Sequence, residues 1–70
     1  MALRKRTLRL AQHNTSVALE PEFWTALEQI AAARGQTLAQ LVMTVDAERQ
    51  GGLASALRVA VLKQSMTVVA

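Results

Sequence analysis

The sequence predicts a mostly helical α+β fold, with N-terminal strand structure followed by three helices and completed by a second copy of the chain. Three observations predict it. Apolar residues alternate at period two early in the chain, then recur at three- and four-residue spacing. Pro21, Gly35 and the Gly51-Gly52 pair divide the remainder at intervals that suit helices. A short strand also leaves backbone N–H and C=O groups on its edge, and these need a partner strand. In 70 residues the nearest source of one is the same strand of another copy, giving an antiparallel ribbon over four helices.

Thr7-Leu8-Arg9-Leu10-Ala11 alternates polar and apolar residues, as a half-buried strand does. Gln12-His13-Asn14 breaks the pattern, and Thr15-Ser16-Val17-Ala18-Leu19 resumes it with Val17 and Leu19 on one face. The two segments pair as a hairpin if the three polar residues form its loop, which widens the dimer ribbon to four strands. Pro21 ends the strand and suits the first helical position, where no amide hydrogen is required. Glu20 and Glu22 place negative charge at the positive end of that helix. Phe23, Leu27, Ile30 and Ala31 then mark one buried face, with Trp24 at its flank. Gly35 closes the helix as a left-handed cap.

Thr37-Leu38-Ala39-Gln40 is a capping box that opens a second helix, whose apolar face is Leu38, Leu41, Val42 and Val45. After the Gly51-Gly52 turn, a third helix is expected from about residue 53 to 64, with Leu53, Leu57, Ala60 and Val61 inward. The expected division is a basic arm at residues 1–6, a domain at 7–64 and a tail at 65–70.

Composition bounds the rest. A single 70-residue domain buries a modest share of its surface, and with no cysteine and one histidine neither disulfide nor structural metal can staple it. Dimerisation remains, and 51% apolar content supplies the surface for it. Residues 1–19 carry Arg4, Lys5, Arg6 and Arg9 and no acid, a +4 arm on a body of charge −1. That asymmetry suits a polyanion. No apolar run approaches the ~20 residues of a membrane span, and a cytoplasmic protein without membrane association is expected.

Catalysis finds no support. His13 falls in a turn and has no Cys, Tyr or second His to work with, and the carboxylates stand at helix ends. Neither enzyme activity nor a cofactor is expected. The polar strand face is the candidate recognition surface. If Thr15, Val17 and Leu19 face the helices, Asn14, Ser16 and Ala18 face away, joined in the hairpin by Thr7 and Arg9. Asparagine suits adenine, serine either base class, alanine a thymine methyl and arginine guanine. Free amides at Thr37, Leu38 and Ala39 suit a phosphate.

Residues 15–19, Glu20-Pro21-Glu22, the helix to Arg34, Gly35-Gln36-Thr37 and Leu38-Ala39-Gln40-Leu41-Val42 together resemble the ribbon–helix–helix family, the Arc/MetJ-like superfamily of bacterial DNA-binding proteins. The stretch from Thr15 to Trp24 and the run Leu53-Ala54-Ser55-Ala56-Leu57-Arg58 are similar to a subgroup with an added third helix. The resemblance covers roughly residues 6–62. It implies an intertwined homodimer that regulates transcription, as a repressor or autoregulator, with its ribbon in the major groove. Carried over by position, Asn14, Ser16 and Ala18 face bases, and Thr37 and Leu38 meet phosphate. The subgroup commonly has arginine where Asn14 stands, and Ala18 cannot hydrogen-bond, which shifts weight to Arg9 for reading and to Arg4, Lys5 and Arg6 for phosphate attraction. The alternative is a protein-interaction or dimerisation module, antitoxin-like or scaffolding, that engages a protein partner through the third helix and the stripe Val59, Leu62, Met66 and Val69.

Overall fold

The computed structural model describes residues 2–69, and within the last helix it describes side chains as far as Gln64. Two strands, β1 (Arg4–Leu10) and β2 (His13–Leu19), form an antiparallel hairpin, followed by α1 (Pro21–Ala33), α2 (Leu38–Glu48) and α3 (Leu53–Val69). The hairpin is a lid on the helices, with β1 over α2 and β2 over α3. This is the expected fold, with both strands and the third helix present.

The alternating pattern sets the hairpin register. Leu10 stands opposite His13, Leu8 opposite Thr15, Arg6 opposite Val17 and Arg4 opposite Leu19. Leu8, Leu10, Val17 and Leu19 are therefore on one face, and all four are buried. They meet Trp24, Leu27 and Ala31 of α1, Leu41 and Val42 of α2, and Leu57 of α3. Fully burying a leucine contributes about 1.5–3 kcal/mol, so these few residues supply most of what holds so short a chain together.

Two features of the hairpin differ from expectation. Its loop is Ala11-Gln12, not residues 12–14, and His13 and Asn14 belong to β2. Ala11 takes φ 54°, in the left-handed region that a two-residue turn demands and that glycine or asparagine usually fills. In addition, β1 begins at Arg4, so Arg4, Lys5 and Arg6 lie in a strand where a basic arm was expected. The strand reaches back that far because α1 holds it. The buried Trp24 Nε1 donates to the Arg4 carbonyl at 2.8 Å, and the Arg6 guanidinium lies 5.1 Å from the Trp24 ring centroid.

Helix α1 also turns inward a face slightly different from the one expected. Its buried residues are Trp24, Leu27 and Ala31, while Phe23 and Ile30 are only partly covered. The indole, read at the flank of that face and as a core plate, is buried, as an amphipathic ring with a partner for its N–H can be.

The helix ends follow their sequence signals. Pro21 opens α1, and the Glu20 carbonyl accepts from the Phe23 amide at 2.9 Å. At its other end Gly35 has φ 68°, its amide donates to Ala32 and the Gln36 amide to Ala31, which is a complete Schellman closure. The capping box on α2 is formed in both directions, Gln40 N to Thr37 Oγ1 at 3.1 Å and Thr37 N to Gln40 Oε1 at 2.9 Å. On α2, Leu41 and Val42 are buried, with Leu38 and Val45 packed beside them. Helix α3 continues past residue 64 to Val69, through the segment expected as a tail.

Glu20 ties α3 to the strand–helix junction: Arg58 Nε and Nη2 each donate to its Oε1 at 3.0 Å. A hydrogen bond from its own backbone and then the Arg58 guanidinium hold the Glu20 carboxyl below the usual carboxylate range. Arg58 also lies 5.7 Å from the Phe23 ring centroid.

The left-handed Ala11 is the weak point of the hairpin, since a Cβ there costs about 1–2 kcal/mol. Replacing it by glycine is expected to stabilise the protein by about 1 kcal/mol, net of the extra freedom of the unfolded chain. Thermal unfolding followed by circular dichroism is expected to show a rise of several degrees, and a lower Tm for Ala11→Gly would contradict strain at this turn.

Candidate nucleic-acid interface

Because side chains alternate along a strand, the register that buries four apolar residues also fixes what points outward. The outer face carries Lys5, Thr7 and Arg9 from β1 opposite Ala18, Ser16 and Asn14 from β2. All except the half-buried Ala18 are exposed. Thr7 Oγ1 and Ser16 Oγ lie 3.0 Å apart and share a hydrogen bond at the centre of the face. The result is a polar surface with its positive charge confined to β1.

Asn14, Ser16, Ala18 and Arg9, read from the sequence as base-facing, are thus brought together. Lys5 joins them. It was grouped with the arm, but its odd position in β1 puts it beside Ala18 on this face. A period-two count begun at Arg4 instead of Thr7 would have found it.

Arg4 and Arg6 have the opposite parity. Arg6 Nη1 donates to Glu28 Oε2 of α1 at 3.3 Å while its guanidinium covers Trp24. Arg4 stands opposite Leu19 at the open end of the hairpin, exposed, with its carbonyl held by Trp24. Of the four N-terminal cations, then, Lys5 and Arg9 share the outer face, and the other two do not.

Thr37 and Leu38 stand on a separate element, at the start of α2. The Thr37 amide is engaged by Gln40 and its hydroxyl by the Gln40 amide. The Leu38 and Ala39 amides take no acceptor among the described residues, and they are the first-turn donors left for an anion.

Elsewhere the surface is poor in chemistry. Among the described residues no group of three His, Cys, Asp or Glu side chains is placed to hold a metal. His13 begins β2, exposed and opposite Leu10. Among the described residues no helix is long and apolar enough to cross a membrane. Val59 and Leu62 of α3 are exposed at 44% and 58%, and with Phe23, Arg58 and Val61 they line a shallow hollow of about 280 Å³. Met66 and Val69, expected to extend that stripe, have side chains outside those described.

A family model described as the ribbon–helix–helix domain matches residues 3–65. The chain belongs to the ribbon–helix–helix domain family. Members of that family are typically DNA-binding transcription regulators, and they generally bind DNA as dimers. Among solved structures, the chain is similar to an uncharacterized protein from Bordetella pertussis Tohama I, with 34% identity and a TM-score of 0.77. The match covers 93% of this chain and 57% of that one, so the chain spans little more than half the length of that relative. No curated protein matches the chain. In this ribbon–helix–helix domain the outer face of the hairpin is the counterpart of the polar strand surface read from the sequence.

The two arginines of β1 are expected to separate in their effects on stability. Arg6→Ala removes an exposed ion pair and a cation–π contact and should cost about 1 kcal/mol. Arg9→Ala removes a side chain on the open face and should change stability by less than about 0.5 kcal/mol. Urea unfolding of both variants checks this, and equal losses would contradict the division.

Proposed function

We propose that the chain is a homodimeric, DNA-binding transcriptional regulator of the bacterial cytoplasm, acting as a repressor, with β2 and the β2 of a second copy forming the ribbon that enters the major groove. One observation carries the reading: the hairpin presents a polar outward face beside a strand edge that is neutral and, among the described residues, without a partner strand.

The edges differ in a way that selects the partner. Leu10 and His13 close a two-residue turn and so form a hydrogen-bonded pair. By antiparallel alternation the N–H and C=O groups of Asn14, Ser16 and Ala18 point away from β1, along the outer edge of β2. The outer edge of β1 belongs likewise to Lys5, Thr7 and Arg9. Self-pairing through β1 about Thr7 would set Lys5 against Arg9 of the second copy, like charges directly opposed. Self-pairing through β2 about Ser16 sets Asn14 against Ala18 and Ser16 against Ser16, with no charge. Ser16 is the midpoint of His13–Leu19, so this register also makes the longest overlap. Lysine and arginine on a strand guard an edge, and only β1 is guarded.

In this dimer Asn14, Ser16 and Ala18 of both copies face base edges. The Leu38 and Ala39 amides at the start of α2, beside the cap residue Thr37, are the donors suited to a phosphate that fixes register on the duplex. A second reading is favoured by the exposed Val59 and Leu62 on α3: a protein-interaction module that meets its partner there.

Ser16→Pro tests the edge, because proline is tolerated where a strand N–H faces outward. The variant is expected to keep its hairpin by circular dichroism, to sediment as a monomer where the parent sediments as a dimer, and to lose binding to mixed-sequence duplex at low salt. A Ser16→Pro dimer that still binds would remove β2 from the interface. A parent dimer that binds no duplex at any salt would favour the interaction module.

A further inference from the structure

On the reading above, we infer that β1 is not part of the reading head but a pair of cationic rails: Lys5 and Arg9 of each copy contact the phosphates on the two rims of the major groove, and only β2 meets the bases. These rails rest on the proposed ribbon, and they give Arg9 a role different from the guanine contact its residue type suggests.

Width separates the two strands. Pairing β2 with β2 places the two copies in one sheet of order β1-β2-β2-β1, since β1 already occupies the other edge of β2. Neighbouring strands lie about 4.8 Å apart, so the outer strands of such a sheet are about 14 Å apart. The major groove of B-DNA is about 12 Å wide. The central pair fits within it, and the outer pair does not. Each β1 then lies over a groove wall, where the sugar–phosphate backbone runs.

The residues on the face are sorted to match. Both cations stand on β1, four residues apart, and the β2 positions are neutral. Lysine and arginine have the length and charge to reach a phosphate from a strand that cannot descend. Thr7, between them, is uncharged and shares a hydrogen bond with Ser16 of β2. Arg4 and Arg6, on the other face of the same strand, cannot serve as rails. Arg6 is also bound to Glu28.

Phosphate contacts and base contacts leave different traces. Each phosphate neutralised contributes about 0.9 to the slope of log affinity against log salt, and a contact to a base edge shapes the preferred sequence instead. The experiment uses the full chain and its Arg9→Gln, Lys5→Gln and Asn14→Ala variants, each checked for the dimer by sedimentation. Binding to a mixed-sequence duplex of about 30 base pairs, long enough to span a site of two to three helical turns, is measured by fluorescence anisotropy across a salt series. Each protein is also used to select sequences from a random duplex pool. Arg9→Gln and Lys5→Gln are each expected to flatten the slope by about 1.8, one phosphate from each copy, and to select the same consensus as the parent. Asn14→Ala is expected to keep the slope and alter the consensus. An unchanged slope with an altered consensus for Arg9→Gln would overturn the rails while leaving DNA binding in place. A parent that binds no duplex would instead overturn the ribbon reading on which they rest.

Discussion

With Leu10 opposite His13 and Arg4 opposite Leu19, the hairpin puts Leu8, Leu10, Val17 and Leu19 against the helices. A slip of one residue in either strand would turn its apolar pair to water and its polar set into the core. The cost of such a slip is what makes the outer face well defined. Lys5, Thr7, Arg9, Asn14, Ser16 and Ala18 share one surface because their neighbours must be buried. Helix α1 reinforces the register from the side, through the Trp24 bond to the Arg4 carbonyl and the Arg6 pair with Glu28. Core and candidate interface are two sides of one constraint.

Parity along β1 divides four positive charges that composition alone lumps together. Arg6 works for the fold, as Arg58 does when it grips Glu20 and covers Phe23. Lys5 and Arg9 have no such employment among the described residues and stand on the open face. An N-terminal +4 cluster therefore overstates the charge presented to a ligand by this face and understates its order. The cations form two fixed positions on a strand, beside a neutral strand whose edge is open.

Much of this was legible in the residues, and the exceptions have physical causes. Pro21, the Gly35 closure, the Thr37–Gln40 box and the Gly51-Gly52 turn announce their helices because each signal is a local hydrogen-bonding requirement. The strand faces were legible from Leu8, Leu10, Val17 and Leu19. The hairpin loop was not, because Ala11 occupies a left-handed position without the glycine or asparagine that marks one. The start of β1 was hidden too: Arg4-Lys5-Arg6 reads as solvated charge, and it is ordered by pairing with the end of β2 and by contacts with Trp24 and Glu28 that are remote in sequence. Trp24 is buried and Phe23 only partly covered, the reverse of their expected places on the α1 face. Helix α3 runs on to Val69 through the segment read as a tail; the helical spacing of Val59, Leu62, Met66 and Val69 fits that run, but it entered the reading only as a possible partner surface.

The proposed dimer depends most on a pairing that a single chain cannot display, the meeting of β2 with β2 about Ser16. An isotope-filtered NMR spectrum of a dimer mixed from labelled and unlabelled protein tests it without DNA. That register makes Thr15 and Val17 of opposite copies a non-hydrogen-bonded pair, whose facing Cα atoms lie about 4.5 Å apart. An intermolecular cross-peak between the Thr15 and Val17 α-protons is expected. Intermolecular cross-peaks running through β1 or α3 instead, with none across β2, would contradict the pairing.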